Sequence, residues 1–73
     1  MFGISEEALQ KIKTEFPAGC RVQLVSMNDP YTRIHQGTQG TVIGVDDIGT
    51  IHVSWDSGST LGVVFGKDSC KKI

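Results

Sequence analysis

The sequence predicts a mainly β fold: a small barrel of five short strands, preceded by one N-terminal amphipathic α-helix. Three observations carry that prediction. After residue 19, short runs of β-branched and aromatic residues recur between Gly- and Asp-rich breaks. One of those breaks, Asp46-Asp47-Ile48-Gly49, joins two such runs and has the chemistry of a hairpin. Asp bonds back to the turn backbone there and Gly supplies a positive φ. Finally, only residues 4–16 carry a helical period. Five short strands in a flat sheet would leave bare edges and almost no core, so the sheet must curl.

The helix comes first. Ser5 is a good N-cap, Ile4 and Leu9 have the spacing of a hydrophobic staple, and Glu6 and Glu7 sit at the positive end of the helix dipole. Ala8, Leu9, Ile12 and Phe16 form one apolar stripe, and Pro17 stops the helix near Glu15 or Phe16. Three turns are marginal alone. The stripe therefore docks on the barrel, or alternatively on a second copy in a weak homodimer. Residues 1–17 are assigned to the helix and 18–73 to the barrel.

The first strand is read over residues 21–27, with Val22 and Leu24 inward. A long polar loop, 28–36, follows. The hairpin strands are 41–45 and 50–55. On the first, Val42 and Gly44 share a face and Ile43 and Val45 point the other way, where the helix would cover them. On the second, Ile51, Val53 and Trp55 point inward, and His52 and Ser54 outward. Residues 60–64 form a fourth strand with Leu61 and Val63 inward. Residues 65–68 form a turn and 69–73 a closing strand. The glycines serve as bends.

The 73 residues suffice for one domain, with about 60% of the unfolded surface buried. Little is left to line a deep pocket. The charge is close to balanced, with seven basic and eight acidic residues. That excludes the broad positive field of a non-specific nucleic-acid binder. No apolar run approaches the roughly 20 residues of a membrane span, and no signal peptide is visible. The expectation is a cytoplasmic protein without a membrane partner. Cys20 and Cys70 are too few for a disulfide framework and are read as thiols.

Two resemblances follow from the residues. Gly37-x-x-Gly40-Thr41-Val42, a hairpin, then Val53-x-Trp55-Asp56-x-Gly58 resembles small SH3-like barrels of the KOW and mind-bomb type. More closely, Asn28-Asp29-Pro30-Tyr31, Gly37-Thr38-Gln39-Gly40-Thr41-Val42, Val45-Asp46-Asp47 and Gly49-Thr50-Ile51-His52-Val53-x-Trp55-Asp56-x-Gly58-Ser59 look like the DUF4314 family, as does Leu61-Gly62. This resemblance spans roughly residues 17–70. It implies a small domain of bacteria, phages and mobile elements, and supplies no activity. The chain departs from the expected acidic end with Cys70-Lys71-Lys72.

Catalysis is not expected. His52, Ser54 and Asp56 alternate on one strand, but same-face neighbours stand about 6–7 Å apart, beyond hydrogen-bond reach. Cys20, Cys70, His35 and His52 have no metal-knuckle spacing, and the glycines form no phosphate loop, so no metal or cofactor is expected. The 28–36 loop is chemically the richest segment. Asp29, Tyr31, Arg33 and His35, with His52 alongside, are the candidate binding residues. Tyr31 either stands out as an anchor or packs down beside Pro30. The resulting expectation is a non-enzymatic module that binds a protein or peptide. The alternative is an RNA- or DNA-binding accessory domain of KOW-like type, with Tyr31, Arg33, His35 and Lys67 for stacking and phosphate contacts.

Overall fold

A computed structural model describes residues 4–28 and 34–73. Helix α1 spans Glu6–Glu15 and starts where its capping chemistry begins. The Ser5 hydroxyl accepts from the Ala8 N–H at 3.1 Å, and the Leu9 N–H donates to the Ser5 carbonyl at 2.9 Å. Phe16 closes the helix with its N–H on the Ile12 carbonyl, and Pro17 prevents another turn. Leu9 and Phe16 are buried, and Ile12 packs against the same core. The predicted stripe thus faces the barrel.

Five strands follow: β1 Arg21–Ser26, β2 Gln39–Val45, β3 Ile51–Trp55, β4 Thr60–Val63 and β5 Ser69–Lys72. All neighbours are antiparallel, in the order β4-β3-β2-β1-β5. Val22 and Leu24 of β1, Val42 of β2, Ile51, Val53 and Trp55 of β3 and Val63 of β4 form one cluster with Phe16 and Ile34. One face of the sheet wraps that cluster, which demands the curl expected of a small barrel. Full burial of each of these side chains contributes roughly 1.5–3 kcal/mol, offset mostly by chain entropy.

The sheet does not close through a β4–β5 ladder. A carboxylate spans the gap instead. Asp68 accepts from the Asn28 N–H at 2.8 Å with Oδ1 and from the Val64 N–H at 3.0 Å with Oδ2. It ties the chain just after β1 to the chain just after β4.

Two features depart from the sequence expectation. Val42 pairs with Val53 but Gly44 pairs with His52, so Ile43 is the extra residue of a β-bulge. The bulge resets the alternation. Val45 returns to the core side and packs on the cluster, Gly44 lies in the outward row beside His52, and Ile43 is 55% exposed. Ile43 and Val45 therefore need no shared cover, and the helix covers the core side through Phe16 and Ile12. The second departure is Ile34. It falls in the loop read as polar, yet it is only 5% exposed and belongs to the core.

Candidate functional site

His52 projects from the outward face of β3, between Gly44 of β2 and Gly62 of β4. Its Nε2 lies 2.9 Å from Asp46 Oδ2. Asp46 also organises the β2–β3 turn, where its Oδ1 accepts from the Ile48 N–H at 3.1 Å and the Thr50 N–H at 2.9 Å. The His52 side-chain bond, followed by the Thr50 N–H, holds the Asp46 carboxyl below its ordinary range. Gly49 completes the turn at φ +85°, where its missing Cβ makes room for Ile4 Cδ1.

His35 is exposed and lies at the opposite end of β2, in a turn where its carbonyl accepts from the Thr38 N–H. The strand between Gln39 and Gly44 separates these ends by about 17 Å. The structure therefore does not bring His35 and His52 together. Asp29, Tyr31 and Arg33 lie outside the described residues.

Asp56, the last member of the His52-Ser54-Asp56 row, belongs to another pair. Arg21 Nη1 donates to Asp56 Oδ1 at 2.8 Å and Nη2 to Oδ2, while Nη1 also reaches Thr41 Oγ1 at 2.9 Å. This fork ties β1 and β2 to the β3–β4 turn. Arg21 holds the Asp56 carboxyl below its ordinary value, and Asp56 raises that of Arg21.

These two depressed carboxylates give an acid dependence with a defined sign. A carboxyl group with a lower pKa in the folded state stabilises the fold above its unfolded value of 3.8. That contribution disappears as the pH falls through the folded value. Thermal unfolding temperature should therefore drop as the pH is taken below about 4. Asp46→Asn and Asp56→Asn should each make that fall shallower, and an unchanged acid profile in both variants would refute the assignment.

Both cysteines are free, half-buried thiols packed against the core. Burial, followed by the charges of Cys20 and Glu15, pushes the Cys70 thiol up to about 11 from an ordinary 9.0. Only the thiolate is alkylated, so at pH 8 iodoacetamide should modify Cys70 about a hundredfold more slowly in the folded chain than in urea. Mass spectrometry of the fragment holding Cys70 gives that ratio directly. Equal rates would show that the thiol is not shielded.

Sequence reasoning missed a groove on the open side of the sheet. Met27, Asn28, Leu61, Gly62, Val64, Lys67 and Asp68 enclose about 250 Å³ between the end of β1 and the outer edge of β4. A second hollow of about 300 Å³ lies under α1, where Phe16, Ile51, Val63 and Phe65 meet. Pockets that enclose small ligands run roughly 300–1,000 Å³, so the first groove suits a side chain better than a cofactor. A signal for it existed. Residues 60–64, which hold β4, carry no charge, whereas Lys71 and Lys72 charge the other edge.

Among the described residues, no three His, Cys, Asp or Glu gather to hold a metal ion. No helix there is long and apolar enough to cross a membrane. A family model for a domain of unknown function, DUF4314, matches residues 5–73. The chain belongs to the DUF4314 family. That match begins at the N-cap of α1, so the DUF4314 unit takes in the helix as well as the strands. No curated protein matches the chain.

Proposed function

We propose that this DUF4314 domain is a non-enzymatic interaction module that binds a protein or peptide. The groove beside β4 carries the reading. Its wall includes Asn28, and the candidate residues Asp29, Tyr31, Arg33 and His35 follow Asn28 in the sequence. Met27, Leu61 and Val64 supply apolar surface and Lys67 a cation. Such an apolar recess with a cation at its wall suits peptide recognition. His52 is left out of this surface because Asp46 holds it at the hairpin. The genetic setting implied by the family, in bacteria and mobile elements, makes the products of adjacent genes the first partners to test.

The test is affinity capture with the intact chain, followed by calorimetry with the purified partner. Saturable binding should be weakened by Tyr31→Ala and by Val64→Asp, each checked for a native circular dichroism spectrum. Saturable binding that neither variant weakens would place the contact elsewhere and refute this surface. A parallel titration with single-stranded RNA at low salt should show no binding, because the net charge is −1. Tight, salt-sensitive RNA binding would favour the nucleic-acid alternative.

A further inference from the structure

The outer edge of β4 has a defined set of free backbone groups. The Trp55 N–H donates to the Ser59 carbonyl at 2.8 Å, so Trp55 turns its polar groups toward β4. By alternation Val53 and Ile51 do the same, and they face Leu61 and Val63 in register. Leu61 and Val63 therefore spend their N–H and C=O groups on β3. Thr60, Gly62 and Val64 point theirs away from it. Val64 is already satisfied: its N–H donates to Asp68 and its carbonyl accepts from the Lys67 and Asp68 N–H groups. Among the described residues, what remains without a partner is the N–H and C=O of Thr60 and of Gly62.

We propose that an extended peptide adds to β4 as a sixth strand, bonding to the Thr60 and Gly62 backbone and placing an apolar side chain in the groove and a carboxylate at Lys67. This rests on the peptide-binding reading above and specifies its mode. Three features select that occupant. The two sheet edges are treated differently: β5 carries Lys71 and Lys72, which discourage a further strand, while 60–64 carries no charge or proline. The recess beside the edge is bounded by this same chain at Met27 and Asn28, with Asp68 bridging one end. A recess walled by this same chain favours a single added strand over the edge of a second copy, which comes backed by its own β3. Lys67 lines the slot and enters no ion pair among the described residues, while the neighbouring Asp68 oxygens are occupied by two backbone N–H groups. Lys67 is therefore the cation the slot offers, beside a carboxylate that is already engaged by two N–H donors.

The experiment selects from displayed random dodecapeptides on the intact 73-residue chain and then studies one synthetic binder by NMR. The selected sequences should alternate apolar and polar residues and include Asp or Glu. The Thr60 and Gly62 amides should gain exchange protection on binding. N-methylation of the peptide at alternate positions should weaken binding about tenfold per lost bond, near the upper range for a single hydrogen bond, and methylation between them should do little. Lys67→Glu should weaken the same peptide by a similar factor and leave the unfolding temperature within a few degrees. Failure to enrich any peptide would overturn both this mode and the peptide-binding reading. A peptide that binds without protecting Thr60 and Gly62 would overturn the mode alone. So would a free chain that dimerises through β4.

Discussion

Trp55→Ala is expected to leave the chain largely unfolded at 25 °C. Trp55 is 2% exposed at the centre of the one core, and its Nε1–H donates to the Leu61 carbonyl at 3.0 Å. Truncating a buried Trp or Phe to Ala costs about 3–5 kcal/mol. A domain of this size has on the order of 5 kcal/mol to lose. Urea titration followed by far-UV circular dichroism measures the loss. Trp55→Phe separates the two contributions, because it keeps a ring in the core and loses only the indole hydrogen bond, the Leu61 carbonyl retaining its Val53 partner on β3, and should cost about 1 kcal/mol. If Trp55→Ala unfolds with the midpoint of the parent, Trp55 does not hold the core together.

Gly40→Ala should be nearly as damaging, although it adds only a methyl group. Gly40 lies opposite Trp55 in the β2–β3 ladder. A Cβ there would fall 2.6 Å from Val53 Cγ1, 2.8 Å from the Ser54 carbonyl oxygen and 3.0 Å from Trp55 Cα. Two of those three atoms are backbone, so relief requires the hairpin itself to move. Overpacking of this kind costs about 3 kcal/mol. Gly44→Ala is the matched control on the same strand: a Cβ there meets nothing within 4 Å and the backbone is not left-handed. It should be neutral or raise stability by about 0.5 kcal/mol. Equal unfolding midpoints for the two variants would contradict the close approach at Gly40.

The contrast between these glycines shows which parts of the fold were legible. Capping chemistry at Ser5, the stop at Pro17 and the alternation of Ile51, Val53 and Trp55 are local rules, and they placed α1 and the heart of the sheet within a residue or two. The bulge at Ile43 was not legible, because an extra residue in a ladder is set by the partner strand rather than by local pattern. Ile34 was misread for a related reason: a single apolar residue among polar neighbours has no period to announce its burial. At the candidate site, sequence identified a chemically rich loop and set His52 alongside it, whereas His52 and His35 lie at opposite ends of β2. His52 could be assigned only once the turn showed Asp46 accepting from Ile48 and Thr50 while holding the imidazole. The charge-free run of residues 60–64 hinted at an open edge, but the groove forms only when the sheet curls and brings Met27, Leu61 and Lys67 together.

The pairing of β1 with β5 also sets the order of assembly. Val22 lies opposite Lys72, fifty residues further along the chain, while β2, β3 and β4 are joined by tight turns. During synthesis on the ribosome, the middle meander has its partners within reach long before β1 gains its second neighbour. Closing so long a loop is entropically expensive and gains little until it is complete. The nucleus should therefore lie in the β2–β3 hairpin, with folding φ-values high at Val53 and near zero at Cys70. The reverse ranking would put the chain ends first. Until β5 docks, β1 is an uncovered edge, and a chain interrupted before Ser69 would expose that edge to its neighbours in the cell.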